Sequence, residues 1–457
     1  MHTAVQDSLR TAPAAPPRRA GPSVVAGRAP KARAFDYIAA CLIPVYVWRI
    51  QDVVPILGKI QFPVIISLTA FVVFVFGGYA AAAFPRFKMP AIKVALFLLI
   101  WTAVSVPLSV YPGLSARFVV SDFSKTILMM LMVASSIRHV NDVERLALAN
   151  MAGAVIYCVK ILTTFQVGDD GRLASLVYYD ANDLAMMVVC TIPFAVYFLR
   201  SDAKVWQRLI ALPCAAIFML AIARSGSRGG FLGLVAVVLF LMVGFRAIPA
   251  RTRIGAVVGI GLLLILVAGP KYWALMGSIL TPEQDYNTSA ESGRMLVWER
   301  GIGYMAGHPI TGVGANAFSV AEGTISEIAG RQLEGQGVKW SAAHNSFVQI
   351  GAELGIPGLC VFTLFLWRLF QSGWRIARGE RAVRRNTPRE RALSEALLAT
   401  LVGYGVAGFF LSQAYSAYLY ATAGILTGLA AISVGTAPVP SKRVRAWPAR
   451  AAQTARR

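Results

Sequence analysis

Charged residues are scarce in this sequence. They make up 14% of its 457 residues, while hydrophobic residues make up 56%. Soluble globular proteins carry about 25% charged residues, so this composition excludes a soluble globule. A helix needs about 20 apolar residues to cross a bilayer, and the chain contains enough apolar sequence for about ten or more such segments. The composition therefore predicts an all-α integral membrane protein.

Cysteines are few as well. The five cysteines all fall within apolar segments, without C-x-x-C spacing: Cys41, Cys158, Cys190, Cys214 and Cys360. This pattern argues against a disulfide framework or a cysteine metal site and favours small buried side chains. No cluster of histidines and carboxylates has metal-ligand spacing either. We therefore expect neither a metal ion nor another cofactor.

The apolar runs predict twelve transmembrane helices and one long loop. The first nine lie within 35–270 and the last three within 346–436, with the loop at 271–345 between them. The predicted helices are 36–50, 62–84, 91–111, 118–137, 146–166, 183–199, 209–224, 229–245, 254–270, 346–370, 395–416 and 418–435.

Basic residues indicate how these helices are oriented. The 44 lysines and arginines outnumber the 22 acidic residues, and most of them lie in alternate loops and in the two tails. The positive-inside rule places those segments, including both termini, in the cytoplasm. The net charge of +22 then serves orientation, so nucleic-acid binding is not expected. Lys125 and Lys160 are different, because they lie inside predicted helices.

The two tails, residues 1–34 and 437–457, are rich in proline, alanine and arginine and have little to bury, so we expect them to be disordered. The first apolar run starts only after the long polar N-terminal tail. It therefore does not fit a cleavable signal peptide, and we expect the first helix to remain as an anchor.

The long loop 271–345 lies on the periplasmic side in this topology. Loops of this length are usually functional or disordered. Here apolar side chains recur with helical spacing after Ser292, a predicted N-cap, and so predict an amphipathic helix on the membrane surface. The residues with this spacing are Met295, Trp298, Ile302 and Met305. Acidic and basic residues nearly balance in the loop, so each of its arginines requires its own explanation.

His344 ends the loop, directly before the tenth helix. Asn345 or Ser346 is the expected cap of that helix, whose free amides and positive dipole end would then lie beside His344. Such a position suits phosphate oxygens. It also disfavours the imidazolium form, which keeps the imidazole neutral and able to accept a proton.

Other polar residues are predicted on the same membrane face. Arg224 and Arg228 lie at the outer turn between the seventh and eighth helices, and arginine at membrane depth is a functional hypothesis by default. Asp180 and Asp183 open the sixth helix, either as caps or as groups that orient an acceptor. The alternative for Arg228 is an interfacial arginine whose side chain extends to lipid phosphates. The alternative for Arg294 is a solvated charge in the loop.

Four ordered motifs carry a resemblance to a known family. They are Ser227-Arg228-Gly229; Ser292-Gly293-Arg294 followed by Trp298; His308-Pro309 with Gly312-Val313-Gly314; and His344-Asn345 followed by Glu353, Gly355 and Gly358. In this order, with the long loop between them, they resemble the O-antigen ligase and polymerase superfamily of bacterial polytopic membrane glycosyltransferases. The resemblance covers about 210–370, and the N-terminal half is similar mainly in topology.

The resemblance implies a GT-C-like fold and a metal-independent, inverting glycan transfer at the periplasmic face of the bacterial inner membrane. The donor would be an undecaprenyl-diphosphate-linked glycan, and the acceptor a hydroxyl of a lipid or glycan in the biosynthesis of lipopolysaccharide or another surface polysaccharide. His344 would be the general base, and Arg228 and Arg294 would stabilise the diphosphate. The expected substrate-binding residues are Arg224, Asn345, Asp180, Asp183 and Trp298.

Other functions remain open at this point. A ligase and a polymerase share the donor and differ in the acceptor; the quoted motifs, which are those of the ligase domain, slightly favour a ligase. A transporter or flippase would have a similar helix count, but such proteins usually contain repeated halves, and no convincing internal repeat is present. A scaffold without chemistry would leave the outward arginines and histidine unexplained.

Overall fold

A computed structural model describes residues 33–164, 168, 173, 179–200, 202–281, 290, 293–380 and 386–435. These residues form helices and connecting segments, with no β-strand among them. The predicted disordered tails fall almost entirely outside this range. The α-helices are α1 Ala34–Leu42, α2 Ile50–Val53, α3 Pro55–Lys59, α4 Phe62–Phe76, α5 Tyr79–Phe87, α6 Pro90–Ser105, α7 Pro112–Phe118, α8 Ser124–Ser136, α9 Val140–Thr164, α10 Ala181–Phe198, α11 Val205–Ser225, α12 Arg228–Val243, α13 Ala250–Val267, α14 Pro270–Gly277, α15 Arg294–Gly307, α16 Phe318–Thr324, α17 Ser346–Arg378, α18 Pro388–Ala407 and α19 Ala417–Ser433.

Eight helical segments in the described part of the chain are long and apolar enough to cross a membrane. A bent pair, α4 with α5, makes a ninth, and shorter apolar helices occur at Ala34–Val47, Arg228–Val243 and Ala417–Ser433. Each of the twelve predicted segments overlaps one of these helices. The protein is thus a multi-pass helical membrane protein, while twelve crossings remain a prediction. The eight segments are Pro90–Leu108, Pro112–Ser136, Val140–Thr164, Ala181–Phe198, Val205–Ser225, Ala250–Val267, Ser346–Arg378 and Pro388–Phe410.

The second predicted helix is broken. It was expected to run unbroken over 62–84, but α4 and α5 meet at a 70° bend. The break falls at Gly77 and Gly78, and Gly78 has a φ of 76°. Glycine adopts positive φ without steric cost, so two consecutive glycines end the first helix and redirect the chain even though the surrounding sequence is apolar.

Several helices extend beyond their apolar runs. Helix α17 continues to Arg378 and α18 begins at Pro388, so the predicted basic loop between residues 370 and 395 is shorter than expected. Thr387 caps α18 by accepting a hydrogen bond from the backbone N–H of Glu390. Hydropathy measures only the apolar length, whereas charged residues and capping boxes can continue a helix into the polar region. The apolar runs therefore underestimate these helix lengths.

Ion pairs join segments that were predicted to face the cytoplasm. Arg138, which precedes α9, lies 2.5 Å from Asp36 at the start of α1. Arg389 at the start of α18 lies 2.6 Å from Glu144 in the first turns of α9. These contacts gather the basic segments at one end of the helices, as the alternating charge pattern predicts. Which side of the membrane that end faces remains a prediction.

The long loop contains helices that pack on α17. The structure contains a helix where the sequence predicted one: α15 begins at Arg294, with Gly293 in the N-cap position. The predicted cap, Ser292, is therefore not the N-cap, and it lies outside the described residues. That α15 lies on the membrane surface remains a prediction. A Cβ added at Gly301 would lie 2.5 Å from Cγ1 of Val348. This glycine therefore permits a close approach of α15 to α17.

Candidate functional site

His344 has an unusual backbone conformation directly before α17. Its φ is 48°, in the left-handed region, which few non-glycine residues adopt. The backbone N–H of His344 donates a hydrogen bond of 2.8 Å to Oγ of Ser412, which lies between α18 and α19. The half-buried imidazole is therefore presented by a backbone that a distant segment holds in place.

Asn345 caps α17. Its Oδ1 accepts hydrogen bonds from the backbone N–H groups of Phe347, at 2.9 Å, and of Val348, at 3.1 Å. The predicted cap position is confirmed, and Asn345 rather than Ser346 provides it. Because Asn345 occupies two of the first-turn amides, a phosphate group here would have to be bound mainly by side chains, with the helix dipole adding a favourable field.

Ser346 holds the segment between α18 and α19 against this helix end. Its hydroxyl donates to the backbone carbonyl of Leu411 at 2.7 Å and accepts from the backbone N–H of Gln413 at 3.1 Å. Together with the contact from His344 to Ser412, these bonds fix residues 411–413 beside the imidazole.

The surroundings of His344 lower its pKa. The largest cause is burial, which disfavours the charged imidazolium; the positive charges of Arg294 and Lys339 act in the same direction, and the negative charge of Asp180 opposes them. These causes favour the neutral imidazole, which is the form that general-base chemistry requires. The charges of Arg294 and Asp180 thus reach His344. That the three residues act together in one site remains a prediction.

Trp298 supports the same segment from α15. Its indole N–H donates to the backbone carbonyl of Ala343 at 3.0 Å. Its ring packs against Phe409 and Phe410, with centroid distances of 5.4 and 6.4 Å. The structure thus places this predicted substrate-binding residue where it positions the backbone before His344. Its contact with substrate remains a prediction.

The arginine turn between α11 and α12 is tightly built. Gly226 ends α11 with a φ of 58°, and Oγ of Ser227 caps α12 by accepting from the backbone N–H of Gly230 at 3.1 Å. Arg224 lies exposed in the last turn of α11. Arg228 begins α12, and its guanidinium donates to Oγ of Ser278 at 3.0 Å.

Aromatic packing links this turn to the histidine. A Cβ at Gly229 would lie 3.1 Å from Cβ of Phe410, so the start of α12 packs directly on that ring. Phe410 in turn packs against Trp298, whose indole N–H donates a hydrogen bond to the backbone carbonyl of Ala343, the residue before His344. Arg228 is therefore connected to the His344 segment through two aromatic side chains.

Asp180 and Asp183 form the start of α10. Asp180 caps the helix by accepting from the backbone N–H groups of Asn182 and Asp183, at 2.7 and 2.8 Å. Asp183 also accepts a 2.7 Å hydrogen bond from the side-chain amide of Gln413. Both aspartates therefore act as caps, and Asp183 in addition joins α10 to the segment that holds His344. A role in acceptor binding remains a prediction.

Sequence reasoning missed Ser412 and Gln413. Both fall inside the predicted helix 395–416, which in the structure ends earlier, at Ala407, with a 3₁₀ turn to Phe410. Two polar residues within an apolar run are their only signal in the sequence. Their importance depends on contacts with His344, Ser346 and Asp183, which are far away along the chain.

The remaining motif residues hold the loop on the kink of α17. Helix α17 bends at Gly355, where φ is 70° and ψ is −173°. The buried carboxylate of Glu353 accepts from the backbone N–H of Asn316 at 2.9 Å. A Cβ at Gly312 would lie 2.3 Å from the carbonyl carbon of Glu353, and His308 lies in the turn that ends α15. These residues position the loop and, through it, Arg294.

The Arg300 side chain has a structural partner. Its guanidinium donates to both carboxylate oxygens of Glu322 at 2.7 to 3.2 Å. The same carboxylate accepts a hydrogen bond of 2.7 Å from the hydroxyl of Tyr304. The pair therefore joins α15 to α16 and explains one of the loop arginines without a substrate.

Fold and site together define a multi-pass helical membrane protein with His344 directly before α17 and with Arg228 and Arg294 as the first residues of α12 and α15. Residues 213–363 match the sequence model of the O-antigen ligase family. The match confirms the resemblance to the O-antigen ligase and polymerase superfamily, and it indicates a ligase-like or polymerase-like membrane glycosyltransferase. No curated protein matches the chain.

Proposed function

We propose that the protein transfers a glycan from an undecaprenyl-diphosphate carrier to an acceptor hydroxyl at the periplasmic face of the inner membrane. Both termini would then be cytoplasmic, and the loop 271–345 would lie in the periplasm. The half-buried position of His344 directly before α17 is the observation that carries this proposal, and burial together with the charge of Arg294 lowers the pKa of the imidazole. A neutral base beside fixed cations is the arrangement that such a transfer requires.

The proposed reaction is a single displacement. The acceptor oxygen attacks the anomeric carbon and forms the new glycosidic bond. The bond between that carbon and the diphosphate oxygen breaks, and undecaprenyl diphosphate leaves with the electron pair. His344 accepts the proton of the acceptor hydroxyl as the bond forms. A single attack from the opposite side inverts the anomeric configuration.

Arg228 and Arg294 stabilise the leaving group. Negative charge accumulates on the diphosphate as the glycosidic bond breaks, so cations that contact it more strongly in the transition state lower the barrier. Arginine also binds phosphate in a bidentate manner that lysine cannot reproduce. With these charges supplied by side chains, the reaction requires no metal ion.

Analysis of the glycans that cells make after deletion of the gene tests the proposal and distinguishes a ligase from a polymerase. Full-length chains that accumulate on the carrier identify a ligase, whereas surface chains shortened to one repeat identify a polymerase. The family match and the motifs favour the ligase. Unchanged surface glycans, together with a purified protein that forms no glycosidic bond, would contradict the proposal and favour a transporter.

A further inference from the structure

A large cavity with both polar and apolar wall residues lies next to the segment that carries His344. It has a volume of about 1160 Å³, and Asp183, Ser412 and Gln413 contribute to its wall. Small-molecule sites usually have volumes of about 300 to 1,000 Å³. The cavity, called here the acceptor cavity, is therefore large enough for a ligand of more than one sugar ring.

Charged residues line the acceptor cavity within an apolar part of the chain. Asp122 and Lys125 both contribute to its wall, and both lie in the segment Pro112–Ser136, which is long and apolar enough to cross a membrane. Ionisable side chains inside such segments are costly and usually mark a functional pathway. Lys125 and Lys160 are both exposed, but only Lys125 lines the cavity, which makes Lys160 its matched control.

Unusual backbone conformations concentrate at the same cavity. Four described residues other than glycine have a positive φ. Arg49, Gln61 and Asn316 line the cavity, and the fourth, His344, is bonded to the cavity residue Ser412. Such conformations cost free energy and cluster at functional sites.

Two π-helical turns contribute to the wall as well. Ile43–Val47 supplies Tyr46, and Val119–Phe123 supplies Asp122. Turns of this kind are rare and are often found at functional sites. The left-handed residues and the π-helical turns are separate observations, and both single out this cavity.

The chemistry of the wall suits a carbohydrate. Amide, carboxylate and hydroxyl groups occur there beside aromatic rings and aliphatic side chains, as in Gln349, Asp122, Ser121, Phe118 and Leu68. Sugars present hydroxyls that both donate and accept hydrogen bonds, together with apolar C–H faces that pack on aromatic rings. The wall thus offers both kinds of contact that a sugar requires.

The charge of the wall does not suit a diphosphate. Its cations are Arg49 and Lys125, against the three carboxylates Asp52, Asp122 and Asp183. Arg49 is also held by Asp52 at 2.5 Å. Neither Arg228 nor Arg294 is among the described residues that line the cavity. The cavity therefore has no excess of positive charge that would favour the donor diphosphate.

We propose that the acceptor cavity binds the sugars of the acceptor and delivers their terminal hydroxyl to His344. This inference rests on the transferase function proposed above. His344 is not itself among the described residues that line the cavity, but its backbone N–H is hydrogen-bonded to the wall residue Ser412. An acceptor that extends past Ser412 therefore ends at the segment that carries the base. Lys125 and Asp122 contribute hydrogen bonds to the acceptor hydroxyls.

Steady-state transfer by the full-length protein in nanodiscs tests the inference. The donor probe is the carrier-linked glycan, and the acceptor probe is the surface glycolipid extracted from cells that lack the gene. We expect Lys125→Met and Asp122→Asn each to raise the KM for the acceptor about tenfold, since hydrogen bonds to charged groups are among the stronger ones. The KM for the donor should change less than about twofold, and the matched control Lys160→Met should resemble the wild type.

Other outcomes overturn the inference in distinguishable ways. A rise in the KM for the donor alone would assign the cavity to the donor glycan. Unchanged KM values in both variants, with an active wild-type protein, would refute the acceptor cavity while the transferase function stands. If the wild-type protein formed no glycosidic bond, the proposed function would fail instead.

A second measurement does not depend on turnover. Cys41 and Cys360, the two exposed cysteines, are replaced by serine, and Ser121→Cys is added in the cavity wall. We expect the glycan released from the acceptor glycolipid to protect this thiol from a water-soluble maleimide. A thiol introduced by Lys160→Cys, outside the cavity, should not be protected. Equal labelling of both thiols with and without the glycan would refute binding in the cavity.

Discussion

The ion pair between Arg300 and Glu322 should determine whether the loop stays folded on α17. The side chain of Glu322 is 0% exposed and that of Arg300 is 10% exposed. Removing one partner of a buried ion pair costs about 3 to 5 kcal/mol, because the other charge is left buried without compensation. Glu322→Gln should therefore destabilise α15 and α16 by about that amount. The neutral amide leaves the guanidinium without a counter-charge.

Hydrogen exchange followed by mass spectrometry measures this effect where it occurs. A loss of 3 to 5 kcal/mol corresponds to exchange faster by about 10²- to 10⁴-fold at protected amides that open locally. The change should be confined to α15 and α16 and should leave α9 and α10 protected. The matched control is Glu327→Gln, since Glu327 is an exposed carboxylate of the same loop. Its effect should stay within about 0.5 kcal/mol.

Two outcomes would refute this reasoning. Exchange in Glu322→Gln that matches the wild type would mean that the buried pair contributes no net stability. Equal effects of Glu322→Gln and Glu327→Gln would mean that burial does not determine the cost. If the reasoning holds, Glu322→Gln should also slow transfer, because Arg294 is the first residue of α15.

Three further predictions concern topology, metals and pH. A thiol introduced by Gly330→Cys should react with an impermeant maleimide in the periplasm, and one introduced by Arg251→Cys should not; the reverse pattern would overturn the proposed orientation. Transfer by the purified protein should continue in excess EDTA, and a strict requirement for Mg²⁺ or Mn²⁺ would contradict the role of the arginines. In a plot of transfer rate against pH, the acid limb, where the rate falls as His344 is protonated, should lie below pH about 6.5, the usual pKa of histidine. The reason is that burial and nearby cations lower the pKa of His344. Lys339→Met should shift this limb to higher pH and Asp180→Asn to lower pH, and a limb that neither variant moves would exclude His344 as the titrating group.

The sequence predicted the features that depend on local chemistry. Apolar length located the helices, and residue type identified the caps Asn345 and Asp180, which accept hydrogen bonds from amides two and three residues away. Residue type failed at α15, where Gly293 rather than the predicted Ser292 is the N-cap. The spacing of apolar residues also predicted α15 within the loop. These interactions connect residues close together in the chain, so composition and spacing are sufficient to predict them.

The features that the sequence could not predict depend on contacts between distant segments. His344 and Ser412 are 68 residues apart, and Asp183 and Gln413 are 230 residues apart. Nothing in the local sequence around either end indicates its partner. Lys125 is a similar case, since hydropathy placed it inside a helix but only the packing of several helices shows that it faces a cavity.

The central claim is that His344 is the base and that the arginines bind the diphosphate. Donor binding and single-turnover transfer, measured for His344→Ala, Arg228→Lys and Arg294→Lys proteins that are folded and inserted in the membrane, test it most directly. His344→Ala should lower the transfer rate by about 10²- to 10⁴-fold with nearly unchanged donor binding. Both lysine variants should weaken donor binding along with the rate, because a point charge does not replace a bidentate contact. A fully active His344→Ala protein, or equal losses of donor binding in all three variants, would contradict the account.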